Sequence, residues 1–363
     1  MHIPRVPIVP LHGHLALRRR LAESIARRAL PSSLLIHGPT GVGKQRLALW
    51  LGQLLLCSSP GSSACGECQS CRYTAMLVHP DLRWFFPRPR LADGDASPAD
   101  VLADYADAIA ERVKGGGLYA APSGSEGIFV STVRAIVQIA AMTPSLASRK
   151  VIVVGDAERM VPQEGADQAA NAFLKLLEEP PADTTIVLTS SEPGALLPTI
   201  RSRVVAFRAA PLSEADVRSW LTEPVVREAL SGADALPGGM EARIRLAAGR
   251  PGALLDGAET RQAAEAARAL LGSISGGRAD RMRAVFALGG SKARGFFSDV
   301  LDALTLELRE RARQAADRSD LATAAAAARG IDAVERAKEK ASGNVSPQLL
   351  GASLVRQLRE LMT

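Results

Sequence analysis

The chain has 363 residues, of which 47% are hydrophobic and 23% charged, with a net charge of +6. This length suggests two or three domains with cores of their own. No apolar run reaches the roughly 18 residues of a membrane-spanning helix, and residues 1–5 lack the apolar start of a signal peptide. We therefore expect a cytoplasmic protein with no membrane partner, and the mild basic excess is compatible with nucleic acid nearby without proving it.

The first predicted elements surround a glycine-rich loop. Residues 15–29 have apolar positions at helical spacing, and the short apolar run 34–37 predicts a buried strand. The stretch GPTGVGK at 38–44 then follows the P-loop pattern, and residues 45–56 predict the next helix. Strand, glycine-rich loop and helix form the context in which backbone N–H groups and a helix N-terminus bind phosphate. The candidate nucleotide-binding residues here are Gly38, Thr40, Gly41, Gly43, Lys44 and Gln45.

This loop departs from the P-loop pattern at its last position. A P-loop continues with Ser or Thr, whose hydroxyl binds Mg²⁺, whereas here the residue is Gln45. A neutral amide on a longer side chain is poorly placed as that ligand. We therefore expect a degenerate nucleotide site that has lost part of its catalytic chemistry.

All four cysteines lie within residues 57–71, at Cys57, Cys65, Cys68 and Cys71. Two consecutive C-x2-C steps can aim thiolates at one metal, and a tetrahedral Zn²⁺ site needs four such ligands. Two disulfides or four free thiols are the alternatives, and a cytosolic chain disfavours disulfides. We predict a structural zinc site, because four protein ligands leave no open position for catalysis.

The chain is then expected to form a short strand at 84–86 and to leave the core. Residues 88–127 are irregular and rich in Gly, Ala, Asp and Pro, which predicts a surface excursion. Within it, Ser97 and Pro98 could open a helix that extends to Val113. Residues 128–141 predict a further helix.

A second part of the nucleotide site is expected after the apolar strand 151–154. This strand ends at Asp156, the Walker B arrangement, in which an Asp holds Mg²⁺ through water. An active ATPase of this class carries a Glu next, which polarises the attacking water, but here Ala157 follows. Glu158 comes one residue later and should point elsewhere. Asp156 could also cap the next helix, and both roles can hold at once.

The remaining pattern divides the chain into a mixed part and a helical part. Residues 169–179 predict a helix and 184–190 a strand, so that three βα units indicate an α/β doubly wound parallel sheet with its site at the carboxyl ends of the strands. From about residue 210 we find no convincing strand, and Ser213 is the expected N-cap of the first helix there. We expect a P-loop core with a zinc module at 1–208, a helical lid at 209–257 and an all-helical domain at 258–363.

Together these motifs resemble the clamp-loader branch of the AAA+ ATPases, and within it the delta-prime family of bacterial DNA polymerase III. The resemblance covers nearly the whole chain and implies an AAA+ core with a zinc insertion, a lid and a C-terminal collar that joins subunits. Besides the cysteines, it rests on HPDL at 79–82, RKVIVV at 149–154, DAERM at 156–160, NAFLKLLEEPP at 171–181, RSR at 201–203 and NVSPQL at 344–349.

The resemblance also implies partners and a role. The family forms a five-subunit ring of gamma/tau motor subunits plus delta and delta-prime, and ATP binding lets that ring open a sliding clamp and load it onto primed DNA. This chain would be a subunit of a DNA-directed DNA polymerase assembly, with neither a polymerase site nor ATPase activity of its own. The family's Ser-Arg-Cys motif is Ser202-Arg203-Val204 here, and Arg203 would enter the neighbouring subunit's ATP site as an arginine finger.

Three hypotheses stay open. The first is a non-hydrolysing clamp-loader subunit, a rigid stator, which is supported by Gln45, by Ala157 and by Gly252, where motor subunits place a lid arginine. The second is an ATP-hydrolysing gamma/tau-type motor, against which the same three positions argue. The third is a stand-alone P-loop kinase or zinc-dependent nucleic-acid binder, against which the helical C-terminal third argues. The sequence does not decide whether ATP is bound without hydrolysis.

Overall fold

The computed structural model divides the chain into two compact units, Met1–Leu255 and Asp256–Thr363. It describes residues 7–91, 96–122, 126–160, 167–231, 236, 239–255, 258–288, 293–341 and 346–362. The N-terminal residues 1–5 and residues 344–345 of the C-terminal motif lie outside the described residues.

The first unit is built around a five-stranded sheet in the order β2-β3-β4-β1-β5. Every neighbouring pair of strands is parallel, and the central strands β3 and β4 are buried along their whole length. Such burial requires that both faces of the sheet are covered, and the predicted α/β fold with a parallel sheet is confirmed. The strands are β1 (Ser33–His37), β2 (Leu82–Phe85), β3 (Lys150–Val154), β4 (Thr184–Ser190) and β5 (Val205–Arg208).

The helices of the first unit follow the strands or belong to insertions between them. Gly43, in a left-handed conformation, begins the helix after the P-loop, and the extended Cys57 ends it. Two short 3-10 turns lie at Ala157–Arg159 and Pro251–Leu254. The helices are α1 (Leu15–Ala26), α2 (Lys44–Leu56), α3 (Gln69–Ala75), α4 (Pro98–Lys114), α5 (Val130–Ala141), α6 (Asp167–Glu178), α7 (Pro198–Arg201), α8 (Glu214–Thr222), α9 (Pro224–Ser231) and α10 (Met240–Ala247).

Helix α4 corrects the expectation of a surface excursion. Its start agrees with the prediction, since Ser97 and Asp100 form a capping box. However, Val101, Tyr105 and Ala108 are buried in the main core, and the Tyr105 hydroxyl donates to the carbonyl of Phe86 at 2.6 Å. These apolar positions recur at helical spacing, which explains why a segment of irregular composition packs against the sheet.

The second unit consists of helices α11 (Ala258–Ser273), α12 (Arg278–Phe286), α13 (Ala293–Asp317), α14 (Leu321–Ala341) and α15 (Pro347–Met362). Helix α13 supplies a buried stripe with Phe297, Leu301, Leu304 and Leu308, at the spacing of one helix face. No strand occurs after Arg208 in the part of the chain that the structure describes, in agreement with the sequence. Among the described helices, none has the length and apolar character of a membrane span.

Candidate functional site

The P-loop connects β1 to α2 and brings Lys44 into the interior. Gly41 and Gly43 have φ values of 82° and 90°, a region that glycine adopts without steric cost. The Lys44 side chain is only 5% exposed. Its Nζ donates to the carbonyl of Pro39 at 3.0 Å and to the hydroxyl of Ser191 at 2.8 Å. The lysine that a P-loop uses for phosphate is thus bound to groups of its own chain.

Gln45 bridges Asp156 and a buried tryptophan. Its Nε2 donates to Oδ2 of Asp156 at 2.8 Å, and its Oε1 accepts from Nε1 of Trp84 at 2.9 Å. This orientation of the amide is the only one that suits both partners, because an indole N–H only donates and a carboxylate only accepts. A Cβ atom at Gly155 would lie 2.2 Å from Oε1 of Gln45, so the bridge also needs glycine there.

The carboxylate after Ala157 faces the site, contrary to expectation. Oε1 of Glu158 accepts from the backbone N–H of Ser191 at 2.7 Å, and Ser191 is also the residue to which Lys44 donates. The suggestion that Asp156 caps the following turn is not supported, because its side chain forms no capping hydrogen bond. The 3-10 turn at 157–159 accounts for the direction of Glu158, since it rotates the chain immediately after the strand.

The electrostatics of this group follow from burial. Burial raises the pKa of Asp156, and the cations Lys44, Arg159 and Arg112 oppose that shift. Burial also raises the pKa of Glu158, to which the negative charge of Asp156 adds, and burial lowers the pKa of Lys44. The chain therefore surrounds Asp156 with cations of its own.

The segment that we expected to form a lid contacts the P-loop backbone directly. The backbone N–H of Gly252 donates to the carbonyl of Gly41 at 2.9 Å, and a Cβ atom at Gly41 would come within 2.9 Å of the nitrogen of Ala253. At Gly38, a Cβ atom would come within 2.1 Å of the carbonyl oxygen of Ala209. Thr40 is half-buried in the same loop. Gly252, where a lid arginine was expected in motor subunits, is thus in contact with the loop.

The four cysteines converge on one point. Their Sγ atoms all lie within 4.8 Å of one another, and those of Cys65 and Cys71 are 3.8 Å apart. Zinc–sulfur bonds of ~2.3 Å in a tetrahedron place sulfur atoms ~3.8 Å apart, so this donor set fits the predicted ion. Backbone N–H groups donate to the sulfurs of Cys57, Cys65 and Cys68. All four are free thiols, and the cluster could hold a metal ion.

Two residues of the HPDL segment support this cluster and were not predicted as functional. The His79 ring bonds to the hydroxyl of Ser70 on α3 at 3.1 Å and accepts from the backbone N–H of Asp81 at 3.0 Å. The Asp81 carboxylate accepts three backbone N–H groups from residues 145–147. The segment thus connects the cysteine module and the loop before β3, and it was visible in the sequence only as a family motif.

Arg203 follows α7 and makes an ion pair. Its Nε and Nη2 lie 3.0 and 2.9 Å from Oε2 of Glu178, and its Nη1 donates to the carbonyl of Thr199 at 3.0 Å. The guanidinium of Arg203 is thus paired with a carboxylate of its own chain. Its side chain is 29% exposed, so a guanidinium remains at the surface of the first unit.

The structure thus assembles two of the three predicted sites within this chain. Lys44, Gln45 and Asp156 form one connected group, and the four cysteines form another. The hydrogen bonds described for Arg203 are to Glu178, Thr199 and Ser202, and none of these belongs to either group.

Comparisons with known proteins give the family. The family described as "DNA polymerase III, delta subunit" matches residues 13–213. DNA polymerase III subunit delta' of Pseudomonas aeruginosa is 36% identical over 212 residues, 56% of this chain and 52% of that protein. The corresponding subunit of Escherichia coli is 32% identical over 224 residues, 61% and 53% of the two chains. The chain spans about half the length of the curated relatives it matches.

More distant similarities reach other proteins. A DNA polymerase III subunit gamma/tau of Mycobacterium bovis is 30% identical over 180 residues, 49% of this chain and 24% of that protein. The solved structure of a DNA polymerase III gamma subunit-related protein of Thermotoga maritima aligns over 97% of this chain and 100% of that protein's chain, at 17% identity and a TM-score of 0.33. The family match and the delta' relatives carry the assignment, and the chain belongs to the DNA polymerase III delta-prime family.

Proposed function

We propose that this chain is the non-hydrolysing delta-prime subunit of a clamp loader. It works in the cytoplasm, in an AAA+-type ring with gamma/tau and delta subunits, and helps to load a sliding clamp onto primed DNA. The observation that carries the proposal is the bridge from Gln45 to Asp156, because it engages the carboxylate that would otherwise serve Mg²⁺ and puts an amide where a P-loop has its hydroxyl.

The nucleotide site departs from what metal-assisted hydrolysis requires in two respects. Mg²⁺ takes oxygen ligands at about 2.0–2.1 Å in a near-octahedral arrangement, whereas the end of Gln45 that faces Asp156 is a nitrogen donor. Ala157 has no carboxylate to polarise water where an active ATPase of this class carries a Glu. Phosphoryl transfer depends almost entirely on such positioning. The gamma/tau-type motor alternative is therefore disfavoured, as are the kinase and nucleic-acid-binder alternatives in a member of this family.

Arg203 is the catalytic contribution that we assign to this subunit, in trans. A guanidinium at the surface can reach the γ-phosphate of a neighbouring subunit's ATP and stabilise the charge that develops during transfer. The pair with Glu178 does not oppose this role strongly, because exposed ion pairs contribute about 0–1 kcal/mol. A phosphate can therefore replace Glu178 as the partner of Arg203.

The other modules take structural roles in the proposal. The cysteine cluster holds one Zn²⁺, whose bonds to four thiolates would fix the segment between α2 and α3. The second unit forms the collar and joins neighbouring subunits. Its exposed Met282 and Phe286 lie one helical turn apart on α12, and large exposed apolar side chains are typical of contact surfaces.

The experiment that tests the role of Arg203 is a reconstituted loader in which this chain alone is changed. Arg203→Ala should leave the ring assembled while ATP hydrolysis stimulated by DNA and clamp, and clamp loading itself, decrease. An arginine finger raises the rate of hydrolysis roughly 10³–10⁵-fold at its own site. The rate of the whole ring should fall by less, because its other sites still act.

Arg201→Ala is the matched control, because Arg201 is an exposed residue of the same turn. It should leave hydrolysis and loading unchanged. Unchanged clamp loading by an intact Arg203→Ala ring would rule the role in trans out.

A further inference from the structure

Helix α4 and the turn after it, residues 98–119, form a segment that we call the tie. Its first contact is in the core, where the guanidinium carbon of Arg112 lies 4.6 Å from the ring centre of Trp84, 3.3 Å from that of Phe86 and 3.9 Å from that of Tyr119. Nη1 of Arg112 is buried without a hydrogen-bond partner. The three rings therefore hold this cation through desolvated cation–π contacts.

The same aromatic group reaches the nucleotide site. Trp84, which contacts Arg112, also donates its indole N–H to Gln45, and Gln45 donates to Asp156. The positive charge of Arg112 acts on Asp156 as well. The core end of the tie is thus connected to the residues that would hold nucleotide and metal in an active P-loop protein.

The second contact of the tie is with the lid. Gly116 has φ +68°, and a Cβ atom there would lie 2.4 Å from Cγ1 of Val225 on α9. Leu118 packs against the lid's apolar core, which also includes Val9 of the N-terminal segment. The turn therefore packs tightly against the lid, and only glycine fits where the turn and the lid come closest.

The N-terminal segment completes the connection. The backbone N–H of Val9 donates to the carbonyl of Gly116 at 2.7 Å, and the Val9 carbonyl accepts from Nε of Arg46 on α2 at 2.8 Å. A few residues later, His12 bonds to Glu223 at the end of α8, at 3.0 Å. The tie, the N-terminal segment, the P-loop helix and the lid form one continuous network.

We propose that the tie holds the lid closed on the P-loop in the absence of nucleotide, in place of the bridge that a bound nucleotide makes in motor subunits. Arg112 anchors the tie to the sheet, and the turn at Gly116 presses on the lid. The lid then keeps one position throughout the ATP cycle of its neighbours. This mechanism deepens the proposed stator role, but it is a property of the isolated chain and is tested there.

Hydrogen exchange of the full-length isolated chain tests whether the tie holds the lid or is an insertion without effect on the lid. Gly116→Ala places a methyl group against Val225, so amides of α8, α9, α10 and residues 251–254 should exchange at least about tenfold faster. Gly115→Ala is the matched control in the same turn. Its φ is −84°, and its Cβ would meet no atom closer than 3.6 Å, so lid exchange should not change.

Arg112→Leu tests the other end of the tie without introducing a clash. It places an apolar side chain among the rings and removes the cation. Hydrogen exchange of the lid should accelerate several-fold, although the substituted residue lies in the core. The Arg112→Leu variant also tests the proposal if Gly116→Ala does not fold. Lid exchange equal to the Gly115→Ala control in both variants, or acceleration that is equally large in α11–α15, would overturn the proposal.

Addition of Mg²⁺ and ATP to the unchanged chain tests whether the closed position of the lid is independent of nucleotide. Lid exchange should stay the same, and slower lid exchange with ATP would contradict a lid that is held by the tie alone. A failure of this kind is distinct from a failure of the Arg203 proposal, because no partner subunit is present.

Discussion

Gln45 joins Trp84 on β2 to Asp156, which follows β3. Its amide satisfies the indole N–H of Trp84 and the carboxylate of Asp156 at once, and the side chain is only 4% exposed. The longer side chain is therefore not a tolerated substitution for Ser or Thr but the centre of a buried hydrogen-bond network. In such networks, a group that loses its partner costs more than the bond contributed.

Restoring the P-loop threonine should therefore destabilise the chain. In Gln45→Thr, the shorter side chain leaves Trp84 and Asp156 without partners, and each unsatisfied buried group costs about 1–3 kcal/mol. We expect the free energy of unfolding in urea to fall by roughly 2–6 kcal/mol. Gln53→Thr on the same helix removes one bond, to the Cys71 carbonyl, and should cost about 1 kcal/mol. Equal stability of the two variants would contradict the bridge.

Asp156 should give the stability a recognisable pH dependence. Its pKa is raised by burial, so between the ordinary value of 3.8 and the raised value the folded chain binds more protons than the unfolded chain. This carboxyl's contribution to stability therefore falls as pH rises through that window. Asp156→Asn, which carries no charge, should gain stability relative to the unchanged chain as pH rises from about 4 in urea titrations. An advantage that shrinks over this range would contradict the assignment.

At the scale of elements, the sequence predicted the helix starts and strand bounds that depend on residues adjacent in the chain. Helix α4 begins where the Ser97 capping signal places it, and β4 has its predicted bounds because its apolar run is continuous. β5 was not predicted, since it is a four-residue edge strand with exposed Val205 and Arg208. Helix α3 was missed because its seven residues, Cys71 among them, carry too little periodicity.

The candidate sites divide in the same way. The P-loop and the cysteine cluster are contiguous motifs, so the sequence located both. The bond between Gln45 and Trp84 joins residues 39 positions apart, and the enclosure of Arg112 by Trp84 and Tyr119 depends on how α4 packs. Such contacts arise from tertiary structure, and neither spacing nor composition indicates them.

The cysteine module should contain about one equivalent of zinc per chain. The four Sγ atoms are close enough for one ion, and a structural site binds zinc tightly once the thiols are deprotonated. Metal analysis of protein purified without chelator is the measurement, and Cys57→Ser with Cys71→Ser should abolish the signal. A zinc content near zero, with the four thiols paired as disulfides, would contradict the prediction.

At the scale of the whole molecule, the two compact units have separate cores and separate proposed tasks. The first contains the P-loop, the cysteine cluster and Arg203, and the second is entirely helical in the residues described. In the proposed ring, the first unit offers an arginine to a neighbour's ATP, and the second joins the subunits. A stator of this kind needs a fixed lid but no nucleotide of its own.

The most direct test of a non-hydrolysing subunit is the P-loop lysine itself, changed only in this chain of a reconstituted loader. Lys44→Ala should leave the ring's ATP hydrolysis and clamp loading at the level of the unchanged ring, because Lys44 bonds to Pro39 and Ser191 rather than to phosphate. The corresponding lysine of the gamma/tau subunits, changed in parallel, should abolish both activities. A Lys44→Ala ring that assembles but loses hydrolysis and loading would contradict the account and identify this chain as a motor.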